Sequence, residues 1–147
     1  MPGETLASLS RMAARAGARA LVIDDEASIA AMLCRVLSRA GISVEAAHSG
    51  RSALERLVAG EYDVVVCDLR MPDVSGQQLY EQVSASLPHI ARRMIFLTGD
   101  IGSDASFAFL RSTGCRYIAK PFELRDVIVA VDALLAESEG NEQPMTA

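Results

Sequence analysis

Short apolar runs that each close on a chemically active residue, separated by stretches of helical spacing, constrain this chain more than any other feature. Ala20-Leu21-Val22-Ile23 ends in Asp24, Tyr62 to Cys67 ends in Asp68, Met94 to Leu97 ends in Thr98, and Arg116 to Ala119 ends in Lys120. A weaker run covers Ile42 to Ala47. Between the runs, apolar residues recur at i, i+4, i+7 and i+8, as in Ile29, Leu33, Val36 and Leu37, which is one face of a helix. Further helices are read over 53–58, with Ser49 as cap, and over 75–87, 104–112 and 123–137, with Gly41, Gly60 and Pro88 as stops. Five strand-helix alternations imply an open parallel sheet with helices on both faces, because a parallel crossover needs a helix and packs right-handed. Unbroken runs such as Val64-Val65-Val66 fit strands buried on both faces. The expected class is doubly wound five-stranded α/β.

The chain has 147 residues, enough for one domain that buries roughly 68–70% of its unfolded surface without disulfide or structural metal. The expected organisation is a linker or tail over 1–18, with Leu6, Leu9 and Met12 on one helical face, one domain over 19–137, and a polar tail over 138–147. The net charge of −5 is carried from Pro121 onward, where six acids face the single base Arg125. Arg11, Arg15 and Arg19 are spaced by small residues and not massed, so no nucleic-acid partner is expected. No apolar run approaches the roughly 18 residues of a membrane span, and no membrane contact is expected. Cys34, Cys67 and Cys115 lack metal or redox spacing and read as reduced thiols of a cytoplasmic protein.

Ligands of open α/β sheets bind beyond the carboxyl ends of the strands. Asp24, Asp25, Asp68, Thr98 and Lys120 all fall there. Taken singly, the Asp pair reads as a helix cap and a first-turn acid, Thr98 as a cap and Lys120 as a loop lysine; at one shared edge these readings fail together. Three neighbouring carboxylates repel one another and call for a cation. Oxygen-only donors with room for water and phosphate select Mg²⁺ over Ca²⁺, with Mn²⁺ as a substitute. With a cation, an ammonium and a hydroxyl around it, Asp68 suits the role of nucleophile in an in-line phosphoryl transfer. The Arg70 carbonyl, in the loop that follows, can complete the metal shell.

The segments VIDDE (22–26), VVVCDLRMPDVSG (64–76), IFLTGD (95–100) and YIAKPF (117–122) together resemble the response-regulator receiver domains of two-component signalling, over about residues 18–137. The resemblance implies a flavodoxin-like sheet of order 2-1-3-4-5 and a phosphorelay role. It implies that Asp68 accepts the phosphoryl group, that Asp24, Asp25 and the Arg70 carbonyl join Asp68 around Mg²⁺, and that Lys120 contacts the phosphoryl oxygens, with a cis bond to Pro121. Thr98 and Tyr117 would be the switch, Tyr117 turning inward as Thr98 moves. The partners implied are a histidine kinase, or its dimerisation and phosphotransfer domain, and a histidine phosphotransfer protein.

Arg70 and Asp100 are expected to pair across the mouth of the site and slow the attacking water, and Gly99 to keep access for the donor. The parent chain is read as a hybrid sensor histidine kinase ending in this receiver, with a free-standing single-domain regulator as the alternative. An aspartate-nucleophile phosphatase usually places an acid where Arg70 stands, and a binding-only pseudo-receiver would have lost site residues. His48 and His89 read as surface residues. Phe107 and Phe109 read as core plus partner face.

Overall fold

In the computed structural model, which describes residues 5–99 and 104–142, the five runs pair as one parallel sheet. The strands are β1 (Arg19–Ile23), β2 (Ser43–Ala47), β3 (Val64–Asp68), β4 (Met94–Thr98) and β5 (Arg116–Ala119), in the order β2-β1-β3-β4-β5. Every pairing is parallel. The fold class and strand order are therefore those implied by the sequence and its resemblance.

Alternate residues of the strands divide the core between two faces. Leu21, Ile23, Val65, Cys67, Met94 and Phe96 point to one side, where α3 (Gly50–Ala59), α4 (Gly76–Ser86), α5 (Pro88–Ala91) and α6 (Asp104–Thr113) lie. Val22, Val64, Val66, Ile95 and Leu97 point to the other, against α2 (Ala27–Arg39) and α7 (Leu124–Glu142). This two-sided burial is why β3 and β4 are apolar without alternation up to their last residues, Asp68 and Thr98. Each fully buried Leu, Ile or Phe contributes about 1.5–3 kcal/mol. Phe96, Tyr80 and Phe109 meet edge to face, with ring centroids 5.5–6.1 Å apart, whereas Phe107 on α6 is exposed under the Arg111 guanidinium.

Caps behave as their residue types require. Ser49 Oγ accepts the Ser52 amide at 3.1 Å, and Ser75 with Gln78 forms a reciprocal capping box on α4. Gly41 follows α2 at φ 98°, a conformation that glycine adopts without strain.

Three elements depart from expectation. Leu6–Ala16, within the stretch read as linker or tail, forms helix α1. Thr5 caps it, and Arg15 grips Asp132 of α7 with a two-pronged bond, Nε to Oδ1 at 2.8 Å and Nη2 to Oδ2 at 2.6 Å. The helix docks through Arg15 and Ala14, while its large apolar residues Leu6, Leu9 and Met12 face outward, Leu6 being 87% exposed. A contact 117 residues away in sequence is invisible to periodicity. Pro88 does not simply end α4, since it opens the short α5 as its first residue. α7 continues to Glu142, into the stretch read as a polar tail.

Candidate functional site

The register of the sheet assembles the site. Ile23 on β1 lies beside Cys67 on β3, so the residues that follow, Asp24 and Asp68, emerge side by side where β1 and β3 send their chains to opposite faces. Thr98 on β4 pairs with Ala119 on β5, and the Lys120 amide donates to the Thr98 carbonyl at 2.7 Å. Four segments thus deliver five reactive side chains to one edge.

Asp24, Asp25 and Asp68 each offer an oxygen within 4.8 Å of the others. Asp24 is fully buried and Asp68 nearly so, whereas Asp25 is exposed. Lys120 Nζ donates to Asp68 Oδ2 at 3.3 Å, and the Arg70 amide donates to Asp68 Oδ1 at 3.2 Å. The Glu26 amide donates to Asp24 Oδ1 at 2.9 Å, but Asp24 Oδ2 has no partner among the described residues. Burial raises the Asp24 carboxyl to about 6, helped by the charges of Asp68 and Asp25 and opposed by the Glu26 amide and Lys120. Asp24 does not cap α2: Glu26 holds that position without a side-chain bond.

These donors suit a hard divalent cation. Among the described residues, three carboxylates against one ammonium leave two negative charges in surplus, one buried oxygen lacks a partner, and the cluster holds no His or Cys ligand. Asp25, Glu26, Asp68, Arg70, Gly99 and Lys120 line an open cleft of about 370 Å³, with room for a phosphoryl group above the acids.

Thr98 is buried at the end of β4. Tyr117, two residues before Ala119 on β5, points outward and is 43% exposed. The Lys120–Pro121 bond is cis. Arg70 is exposed at the rim, and its expected partner Asp100 lies outside the described residues. His48 and His89 are exposed, as read. Cys67 is fully buried, and burial followed by the neighbouring Asp68 and Asp24 charges pushes its thiol up, which keeps it protonated and inert.

The sequence reading missed Asp73. Its carboxylate reaches across to the first turn of α3 and accepts the Gly50 and Arg51 amides at 3.1 and 3.2 Å. An Asp just before a Ser-capped helix carries no local sign that it serves a different helix.

A family model described as a response regulator receiver domain matches residues 20–132. The DNA-binding transcriptional regulator NtrC of Klebsiella pneumoniae is 30% identical over 128 residues, 87% of this chain and 27% of that protein. The transcriptional regulatory protein TrcR of Mycobacterium tuberculosis is 30% identical over 126 residues, 86% of this chain and 48% of that one. The chain thus spans a quarter to a half of the length of these relatives. A CheY-like response regulator receiver domain protein from Methanospirillum hungatei superposes with a TM-score of 0.78 at 26% identity, covering 84% of this chain and 98% of that one.

Proposed function

Because the chain belongs to the response regulator receiver domain family, we propose that it accepts a phosphoryl group from the phosphohistidine of a histidine kinase onto Asp68 and changes its partner surface in response. The observation that supports this reading is the Lys120 ammonium at 3.3 Å from Asp68 Oδ2, beside two further carboxylates. One cation is thereby aimed at the place where phosphoryl oxygens would sit.

Asp24, Asp25, Asp68 and the Arg70 carbonyl would hold Mg²⁺, or Mn²⁺ in its place. When bound, the ion neutralises charge on the transferring phosphoryl oxygens. The transfer itself needs an Asp68 oxygen to attack phosphorus in line. The new O–P bond forms as the P–N bond to histidine breaks, and the electron pair leaves with the imidazole, which takes up a proton. Lys120 holds a phosphoryl oxygen, and the Arg70 amide orients the carboxylate.

Phosphorylation replaces a carboxylate by a group with more charge and more acceptor oxygens. Thr98, buried beside it, is the switch residue that answers, and Tyr117 is the aromatic that turns from solvent into the space Thr98 leaves. Shifting a 1:99 balance to 99:1 takes about 5.5 kcal/mol of differential contact, so Lys120 and the metal shell must share the task with Thr98. Arg70 and Asp100 modulate the lifetime of the adduct by obstructing water, and Arg70→Ala shortens that lifetime.

Among the described residues no helix is long and apolar enough to cross a membrane. From the family we propose a histidine kinase and a histidine phosphotransfer protein as partners, met in the cytoplasm. For the parent protein we propose a hybrid histidine kinase, tested by reading the coding sequence on either side of this segment. The decisive experiment on the site is incubation with Mg²⁺ and acetyl phosphate followed by intact mass. A base-labile phosphoryl adduct, lost in Asp68→Asn and in EDTA, is expected. Absence of any adduct would falsify the reading, and rapid turnover of the donor without an adduct would point to a phosphatase.

A further inference from the structure

We propose that Asp73 is a positioning residue for the metal-binding loop: by clamping the loop tip to the first turn of α3, it sets the direction of the Arg70 carbonyl. The inference rests on the metal site proposed above and adds to it a residue on the opposite side of the loop.

The loop from Leu69 to Ser75 leaves β3 and returns to α4. Its two ends are tied together, since the Leu69 amide donates to Leu97 on β4 and the Gly76 amide donates to the Leu69 carbonyl, both at 2.9 Å. Met71 is buried in the core, with Val74 packed beside that cluster. Arg70 lies between, exposed, so its carbonyl direction follows from where residues 71–74 are held.

Asp73 supplies the tie to another element. Its carboxylate accepts the Gly50 and Arg51 amides, and with Ser49 taking Ser52 the first three amides of α3 are all satisfied. Amides from Val74, Gly50 and Arg51 together hold the Asp73 carboxyl below the usual carboxylate range. The fit at this junction leaves no slack. A Cβ on Gly50 would overlap the Val74 Cβ and lie 2.6 Å from the Val74 carbonyl oxygen, so α3 and the loop touch backbone to side chain only because residue 50 is glycine.

Helix capping alone and loop positioning make different predictions about Mg²⁺. Calorimetric titration of the full chain with Mg²⁺ is the test, at a temperature where each variant keeps the near-ultraviolet dichroism of the folded protein. Asp73→Ala should weaken Mg²⁺ binding about tenfold, the scale of losing an outer-shell support. Asp73→Asn keeps an accepting oxygen for one of the two amides and turns an NH2 donor toward the other, so it should lose part of the affinity, less than Asp73→Ala. Gly50→Ala, which pushes the loop without altering any charge, should weaken binding as well. Unchanged affinity in Asp73→Ala, with only a lower melting temperature, would reduce Asp73 to a cap and overturn the inference. Mg²⁺ binding by Gly50→Ala as tight as in the wild type would do the same, because that variant displaces the loop at Val74 without altering any charge. A wild-type chain that binds no Mg²⁺ would instead overturn the metal site itself and this inference with it.

Discussion

Lys120 Nζ stands 3.3 Å from Asp68 Oδ2 although 52 residues separate them in the chain. The contact depends on β3, β4 and β5 lying side by side, because Asp68 ends the first and Lys120 follows the last. The backbone secures it as well, through the Lys120 amide on the Thr98 carbonyl.

Removing that ammonium should separate catalysis from metal binding. Lys120→Ala is expected to slow adduct formation from acetyl phosphate about a hundredfold, the typical loss when one preorganised charge partner is removed. Its Mg²⁺ affinity should not fall, because a repelling cation has been taken away. Timed mass spectrometry and a Mg²⁺ titration read the two effects, and loss of both together would refute the assigned role.

Asp24 makes the metal-free protein dependent on pH. Its folded value of about 6 lies above its ordinary 3.8, so ionisation opposes folding. The penalty is absent below about pH 4, grows as pH rises and is complete above about 6, reaching at most about 3 kcal/mol. In EDTA at pH 7, Asp24→Asn should therefore be more stable than wild type in urea unfolding, and the gap should close toward pH 4. Added Mg²⁺ should stabilise the wild type and leave the variant little changed. A gap that is the same at both pH values would remove burial of the charge as its cause.

The α1 helix should come free when its ion pair is cut. An isolated helix of this length is marginal in water, and Arg15 with Asp132 is a partly buried pair. Asp132→Ala is expected to cost about 1–3 kcal/mol of local stability. Amides over residues 9–16 should exchange with deuterium at nearly unfolded rates while those of β1, β3 and β4 stay protected. Continued protection of α1 would show that Arg15 is not what holds it.

Gly76 should tolerate no side chain. A Cβ there would lie 2.8 Å from both the Asp68 carbonyl oxygen and the Leu69 Cα, which are backbone atoms with no freedom to withdraw. Gly76→Ala is expected to cost about 1–3 kcal/mol in denaturant unfolding, with slower phosphoryl uptake because the strain falls on Asp68 itself. A variant as stable as wild type would mean that the loop yields more easily than these distances imply.

Much of the site was legible because its residues sit at strand ends, where an apolar run stops abruptly at Asp24, Asp68, Thr98 or Lys120. The strands were legible because burial on both faces leaves an unbroken apolar run. α1 was legible only as a helical face, since its docking depends on Arg15 finding Asp132 from the far end of the chain, and the exposed Leu6 and Leu9 reverse the usual reading of an apolar stripe. The short α5 was hidden because a proline after a helix signals a stop and a new start equally well.

By itself, the order of residues determined the alternation of strand and helix, the two apolar faces of the sheet and which side chains stand at the ends of the strands. Those follow from spacing along the chain, which local geometry turns directly into direction. Only the tertiary structure decided that Asp24 Oδ2 is buried without a partner among the described residues, that Asp73 serves α3 instead of its own helix, and that α1 rests on α7. Each of these depends on what approaches from a distant segment, and burial, charge and hydrogen bonding take their values from that approach and not from neighbours in sequence.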